Sequence, residues 1–132
     1  MKPLLIWLAV VAVVFGGYAL ITSAIRDTEQ VFVVVDSSFQ MRPVWRDVAG
    51  ELDRIDNQEH AEFALATEKM PVHTWQSSLD LAGIEAFAPC TFDGIADSTE
   101  SQDADKRILI TTTDNACDTA PLVDWEIIQL DP

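Results

Sequence analysis

Basic residues are scarce in this chain: 8 lysines and arginines stand against 22 aspartates and glutamates, for a formal net charge of −14. Such a surface repels phosphate backbones and anionic lipid headgroups, which argues against nucleic acid as a partner. Histidine is rarer still. His60 and His73 are the only two, and neither lies in a triad-like context, so Ser37 and Ser38 lack an evident general base. Cysteine is limited to Cys90 and Cys117, without C-x-x-C spacing or a neighbouring histidine, which disfavours a metal pair. There is no internal repeat, no low-complexity tract and no run of like charges long enough to demand disorder. No enzymatic activity is expected from this inventory.

What the chain does have is a long uncharged opening. Residues 3–25 read PLLIWLAVVAVVFGGYALITSAI. A bilayer-spanning helix needs roughly 20 such residues. Lys2 precedes the run, and Arg26 after it is answered at once by Asp27 and Glu29, so the charge bias is weak and favours an inner N-terminus. Gly16-Gly17 is not a GxxxG pair and gives no specific support for helix dimerisation. The expectation is a single-pass signal anchor over 1–26, crossing the cytoplasmic (inner) membrane through residues 4–25. Residues 27–132 would then form one domain in the periplasm or an equivalent extracytoplasmic space. Thr22-Ser23-Ala24 imitates a cleavage site, which leaves a removable signal peptide open. Either way the rest of the chain leaves the cytoplasm.

That remainder, roughly a hundred residues, suffices for one compact core. All the acids fall in it, and the excess reads first as a solubility adaptation. Outside the cytoplasm Cys90 and Cys117 are most simply a disulfide. Closing a loop of about 27 residues contributes on the order of 3 kcal/mol in the chain-entropy model.

Residues 30–35 (QVFVVV) form a continuous apolar run that suits a strand buried on both faces. Pro43 then suits a first helical turn, and Val44, Trp45, Val48, Leu52 and Ile55 recur at helical spacing up to Asp56-Asn57. Residues 61–67 read as a second strand, broken by Pro71. The spacing of Trp75, Leu79, Leu81, Ala82, Ile84 and Phe87 predicts a second helix over 75–87. Residues 93–105 predict a polar loop, 107–113 a strong strand and 124–130 a last strand near the sheet edge. The order β-α-β-α-β-β implies an α/β fold with a small, mostly parallel sheet and flanking helices.

In such sheets sites form at the carboxyl ends of strands. Two predicted strands end in acids beside hydroxyls: Val35-Asp36-Ser37-Ser38 and Thr111-Thr112-Thr113-Asp114. Convergence of Asp36, Ser38 and Asp114 would gather hard oxygen ligands suited to Mg²⁺, Mn²⁺ or Ca²⁺. The simpler alternative is that Asp36 and Ser38 cap the following helix.

These residues resemble the von Willebrand factor A domain family, in which a buried strand runs into D-x-S-x-S before a helix and a later strand ends in a T-D-G-like turn. The resemblance implies a reduced α/β sandwich with an adhesion-type metal site, held here by Asp36, Ser38, Gln40 and Asp114. Gln40 stands where the family has its second Ser, and Asn115 where it has Gly. No threonine is assigned to the family's loop position, although Thr91 and Thr99 are available, and the chain is much shorter than a full domain. A strand ending in Asp is also similar to haloacid-dehalogenase-type phosphatases. Here, however, Ser38 replaces their second Asp and Lys106 precedes its strand. Trp45 and Trp75 read as core. Trp125 shares a strand face with Ile127 and Gln129, and Trp125 with Ile127 is the candidate docking patch if that face is free of the core. The expected role is a membrane-anchored protein–protein interaction module, an accessory subunit whose protein partner lies in or at the membrane. The alternatives are a metal-dependent ligand-binding domain and a vestigial phosphatase-like hydrolase.

Overall fold

The apolar run 30–35 becomes the centre of a sheet. In the computed structural model, which describes residues 2–24, 28–81, 83–87, 89–115 and 117–132, strand β1 covers Glu29–Val35. Val31, Val33, Val34 and Val35 have no exposed surface and Phe32 only 3%. A strand can be apolar on both faces only if both faces are covered, and this one has a parallel neighbour on each side as well.

The neighbours are β2 (Ala61–Thr67) and β4 (Lys106–Thr112), with Val33 aligned to Leu65 and to Ile108. Strand β5 (Glu126–Leu130) lies parallel outside β4, and β3 (Pro71–Gln76) lies antiparallel outside β2. The five strands run in the order β3-β2-β1-β4-β5. The fold is therefore α/β with a mostly parallel sheet. Ahead of it stands helix α1, Lys2–Ala24, whose 23 residues reach about 35 Å at 1.5 Å each, enough for a membrane anchor or signal sequence. Ile25, Arg26 and Asp27, on which the expected anchor boundary falls, lie outside the described residues.

After β1 the chain makes a 3-10 turn, Phe39–Val44, that contains Pro43, and then enters helix α2, Trp45–Asp56. Val48, Leu52 and Ile55 on α2 pack with Met41 and Val44 against Val31, Val33, Phe63, Leu65, Ile108 and Ile110. This is the amphipathic helix that the spacing predicts, with Trp45 half-buried at its start.

The opposite face is covered differently. The helix expected over 75–87 does not form. Pro71 opens an edge strand, where its missing N–H costs no ladder bond. Trp75 shares a face of that strand with His73, and the chain beyond is irregular, with Gly83 left-handed at φ 76°. Leu79 and Leu81 pack on the α2 side of the sheet, whereas Trp75 packs on the other, so one helical stripe could not serve them all. Ala82 lies outside the described residues. The polar stretch 93–105, expected as loop, carries a 3-10 turn (Ile95–Asp97) and a short helix α3 (Thr99–Asp103). Ser98 Oγ accepts the Ser101 N–H at 3.2 Å and caps α3. The observed order is thus β-α-β-β-α-β-β. Phe92, Ile95, Ala104 and Leu122 cover Phe32, Val34, Ala64 and Leu109 on this face.

Cys90 and Cys117 are joined as a disulfide, Cα atoms 6.0 Å apart, tying the irregular chain after β3 to the connection between β4 and β5. This fits a domain outside the cytoplasm. Reduction, or Cys90→Ser with Cys117→Ser, is expected to cost on the order of 3 kcal/mol and lower Tm by roughly 10–20 °C. Thermal denaturation with and without reductant measures it; an unchanged Tm would remove the cross-link from the stability of the fold.

Candidate functional site at the carboxyl edge of the sheet

The strand order makes β1 and β4 a switch point. The chain leaves β1 for α2 on one face, and leaves β4 for a connection whose Leu122 and Trp125 pack on the other. Crevices at such points hold the ligands of open α/β sheets. Here the position is filled by Asp36, which has no exposed surface. Its N–H donates to the Ile110 carbonyl at 2.8 Å. Its Oδ2 accepts the Thr111 hydroxyl at 2.8 Å, and its Oδ1 accepts the Ser38 N–H at 2.9 Å. The second bond is a local turn of Asp onto the backbone two residues on. It replaces the expected helix cap, since the Ser38 side chain caps nothing.

A second buried cluster adjoins it. Glu68, just past the end of β2, accepts the Ser37 N–H at 2.7 Å and the Ser37 hydroxyl at 3.1 and 3.2 Å. Lys69 pairs with Glu68 and donates to Ser37 Oγ at 3.0 Å. At the other end Thr112 Oγ1 donates to the Leu130 carbonyl at 3.1 Å. Polar bonds therefore run across the ends of β2, β1, β4 and β5. Burying one of these groups without a partner costs about 1–3 kcal/mol.

The irregular chain after β3 lies across this row. The Phe87 N–H donates to the Ser37 carbonyl at 2.6 Å, and Arg42 Nε donates to the Ala86 carbonyl at 3.3 Å. Ser37 and Ser38 have no exposed surface. With Ser37 hydrogen-bonded to Glu68 and Lys69 ion-paired, the cluster is built to hold the turn.

Three of the four predicted metal ligands lie in the turn after β1, and the fourth, Asp114, lies in the turn after the neighbouring strand β4. Asp36, Ser38 and Gln40 share the turn after β1, and Ser38 Oγ and Gln40 Oε1 are buried atoms without a hydrogen-bond partner. Asp114 is exposed, and its recorded bond is the one its N–H donates to Thr112 Oγ1 at 3.4 Å. Among the described residues no group of three or more His, Cys, Asp or Glu could hold a metal ion. Of the two loop threonines, neither Thr91 nor Thr99 contacts the turn through a recorded bond.

Trp125 and Ile127 lie half-buried on the second core cluster, with the Trp125 ring 5.7 Å from Phe32 in an edge-on contact. That face of β5 packs inward, so the exposed apolar surface lies elsewhere. Phe39, Met70 and Phe87 are 48%, 52% and 48% exposed. Arg42 stacks over Phe39 at 4.8 Å and reaches Ala86; Lys69, next to Met70, stacks over Phe87 at 4.9 Å. These contacts link the turn after β1, the end of β2 and residues 86–87 at the carboxyl edge, and each of those segments carries one of the three side chains. The sequence signal for it was slight. Thr67-Glu68 repeats the hydroxyl-then-acid pattern of Thr113-Asp114, and Phe39 is an aromatic in a turn.

No protein family matches this chain, and no curated protein or solved structure is detectably similar to it.

Glu68→Ala would leave Lys69 uncompensated and the Ser37 N–H unpaired, and is expected to cost about 3–5 kcal/mol. Glu68→Gln with Lys69→Met should recover much of that loss, because it removes both charges and keeps an acceptor for the Ser37 N–H. Urea denaturation of the two variants checks the pair; equal losses would mean that the ion pair is not what makes Glu68 matter.

Proposed function

We propose that this is a membrane-anchored, extracytoplasmic interaction module that docks a protein partner through the carboxyl edge of its sheet, as an accessory subunit of a membrane complex. The patch of Phe39, Met70 and Phe87 carries the reading. Three large apolar side chains, each about half exposed, lie on segments that Arg42 and Lys69 link, on an otherwise strongly acidic domain. Arg42 beside Phe39 adds positive charge, so a partner offering apolar side chains with a nearby acid would be complementary. Helix α1 supports placement at a membrane, for which we take the cytoplasmic membrane with the domain in the periplasm or its equivalent. We also read the domain as non-enzymatic, on the ground that the Ser37 hydroxyl is buried and donates to Glu68.

We read the domain as a reduced von Willebrand A-like sandwich. Its support is the doubly wound strand order with β1 central, the turn Asp36-Ser37-Ser38 directly after β1, and Thr113-Asp114 directly after β4. The metal-dependent alternative draws on one observation, the buried and unpartnered oxygens of Ser38 and Gln40 beside Asp36. A cation there would be held by Asp36, Ser38 and Gln40, with Asp114 of the turn after β4 as the fourth candidate.

Purification of the full chain from its native membrane should yield a stoichiometric companion. Phe39→Ser with Phe87→Ser should release it while costing the domain less than about 1 kcal/mol, as exposed substitutions do. A wild-type protein that emerges alone would sink the subunit reading, and a companion retained by the double variant would sink the docking edge. For the alternative, saturating Mg²⁺ or Ca²⁺ should raise Tm by a few degrees, and Asp36→Ala should erase that rise. A Tm indifferent to both ions removes the metal.

A further inference from the structure

On the sheet face opposite α2, a cleft of about 320 Å³ opens between β2–β3 and the segment around Ile95. Phe32, Ala66, Ile95 and Met70 give it apolar walls. Alanines at positions 64 and 66 of β2, and the lack of a long helix over them, leave the space. The volume lies at the lower end of small-ligand sites.

Its polar side chains divide cleanly. Thr67 Oγ1 donates to the Met70 carbonyl and accepts the Lys69 and Met70 N–H groups. Ser98 Oγ donates to the Ile95 carbonyl and accepts the Ser101 N–H. Glu68 and Lys69 neutralise each other. Three groups remain. His73 Nδ1 lies 2.8 Å from the Thr74 carbonyl, so it carries the proton and donates. His73 Nε2 is then a lone-pair acceptor, and it is buried with no partner. The carboxylates of Glu100, half-buried, and Asp93, exposed, have no recorded hydrogen bond or ion pair among the described residues. Every free side-chain group in this cleft is an acceptor, and two of them are anionic.

We propose that this cleft binds a primary ammonium group carried on a short apolar stem. An ammonium has three donors and no acceptor, which is what these three groups lack. The stem fits the Phe32–Ile95 walls, and an anionic ligand would meet two carboxylates. The same chemistry comes from a free alkylamine or from a lysine side chain of a protein. The cleft shares Met70 and Lys69 with the docking edge, but the proposal is read on the isolated chain and does not rest on that edge.

The test is a titration of the isotopically labelled full chain in neutral detergent micelles with n-butylammonium at constant ionic strength, following the His73 side-chain and Gly94 amide resonances. Saturable shifts are expected with n-butylammonium and none with n-butanol or butyrate. Glu100→Gln should weaken binding about tenfold, the worth of one charge-assisted bond. His73→Phe should abolish it, and if that variant does not fold, the Glu100→Gln result decides alone. Equal binding of n-butanol, non-saturating shifts, or indifference to Glu100→Gln would overturn the proposal. A lysine-containing peptide that binds at least tenfold tighter than its norleucine counterpart and than n-butylammonium assigns the group to a protein partner. Tighter binding of the free amine assigns it to a small molecule.

Discussion

A carboxylate with no exposed surface ends the central strand, and the carboxyl edge of the sheet is organised around it. Asp36 holds β4 through the Thr111 hydroxyl and the Ile110 carbonyl, and shapes its own turn through the Ser38 N–H. That turn delivers Met41 and Val44 to the core and sends the chain into α2. Glu68 does the corresponding work for β2 by gripping Ser37 from the other side. Without these acceptors, the backbone leaving β1 would present unpaired donors in a place that water does not reach.

The central elements were legible in the sequence because each follows from a single strong cause. The run 30–35 has no polar residue between Gln30 and Asp36, so it needs cover on both faces. The spacing of Val48, Leu52 and Ile55 admits one helix, and the two cysteines, outside a reducing compartment, pair. The stretch 71–92 was illegible because its apolar residues serve both sides of the sheet. Leu79 and Leu81 go to one and Trp75 and Phe92 to the other, which imitates helical spacing without making a helix.

The site was half legible for a related reason. Asp36 and Ser38 stood out as a strand-end motif, and they are indeed at the switch point. What they touch depends on β2 and on the chain after β3, whose placement the motif does not encode. Glu68, Lys69 and the half-exposed Phe87 reach the same edge only through that placement. Likewise the inward turn of Trp125 is decided by Phe32, ninety-odd positions away in the chain and invisible to local alternation.

Strand β1 is also a spacer. It is the first strand after α1 in the chain, and β2, β4 and β5 all run parallel to it, so the chain enters the domain at the amino edge of the sheet. Seven residues of β1 at about 3.3 Å each put the opposite edge some 23 Å from that point of attachment. The turn that carries Phe39 therefore lies at the opposite end of the sheet from the point where the chain enters it. In the proposed role, docking and chain entry would use opposite ends of one strand, so a change in the length of β1 would move one relative to the other.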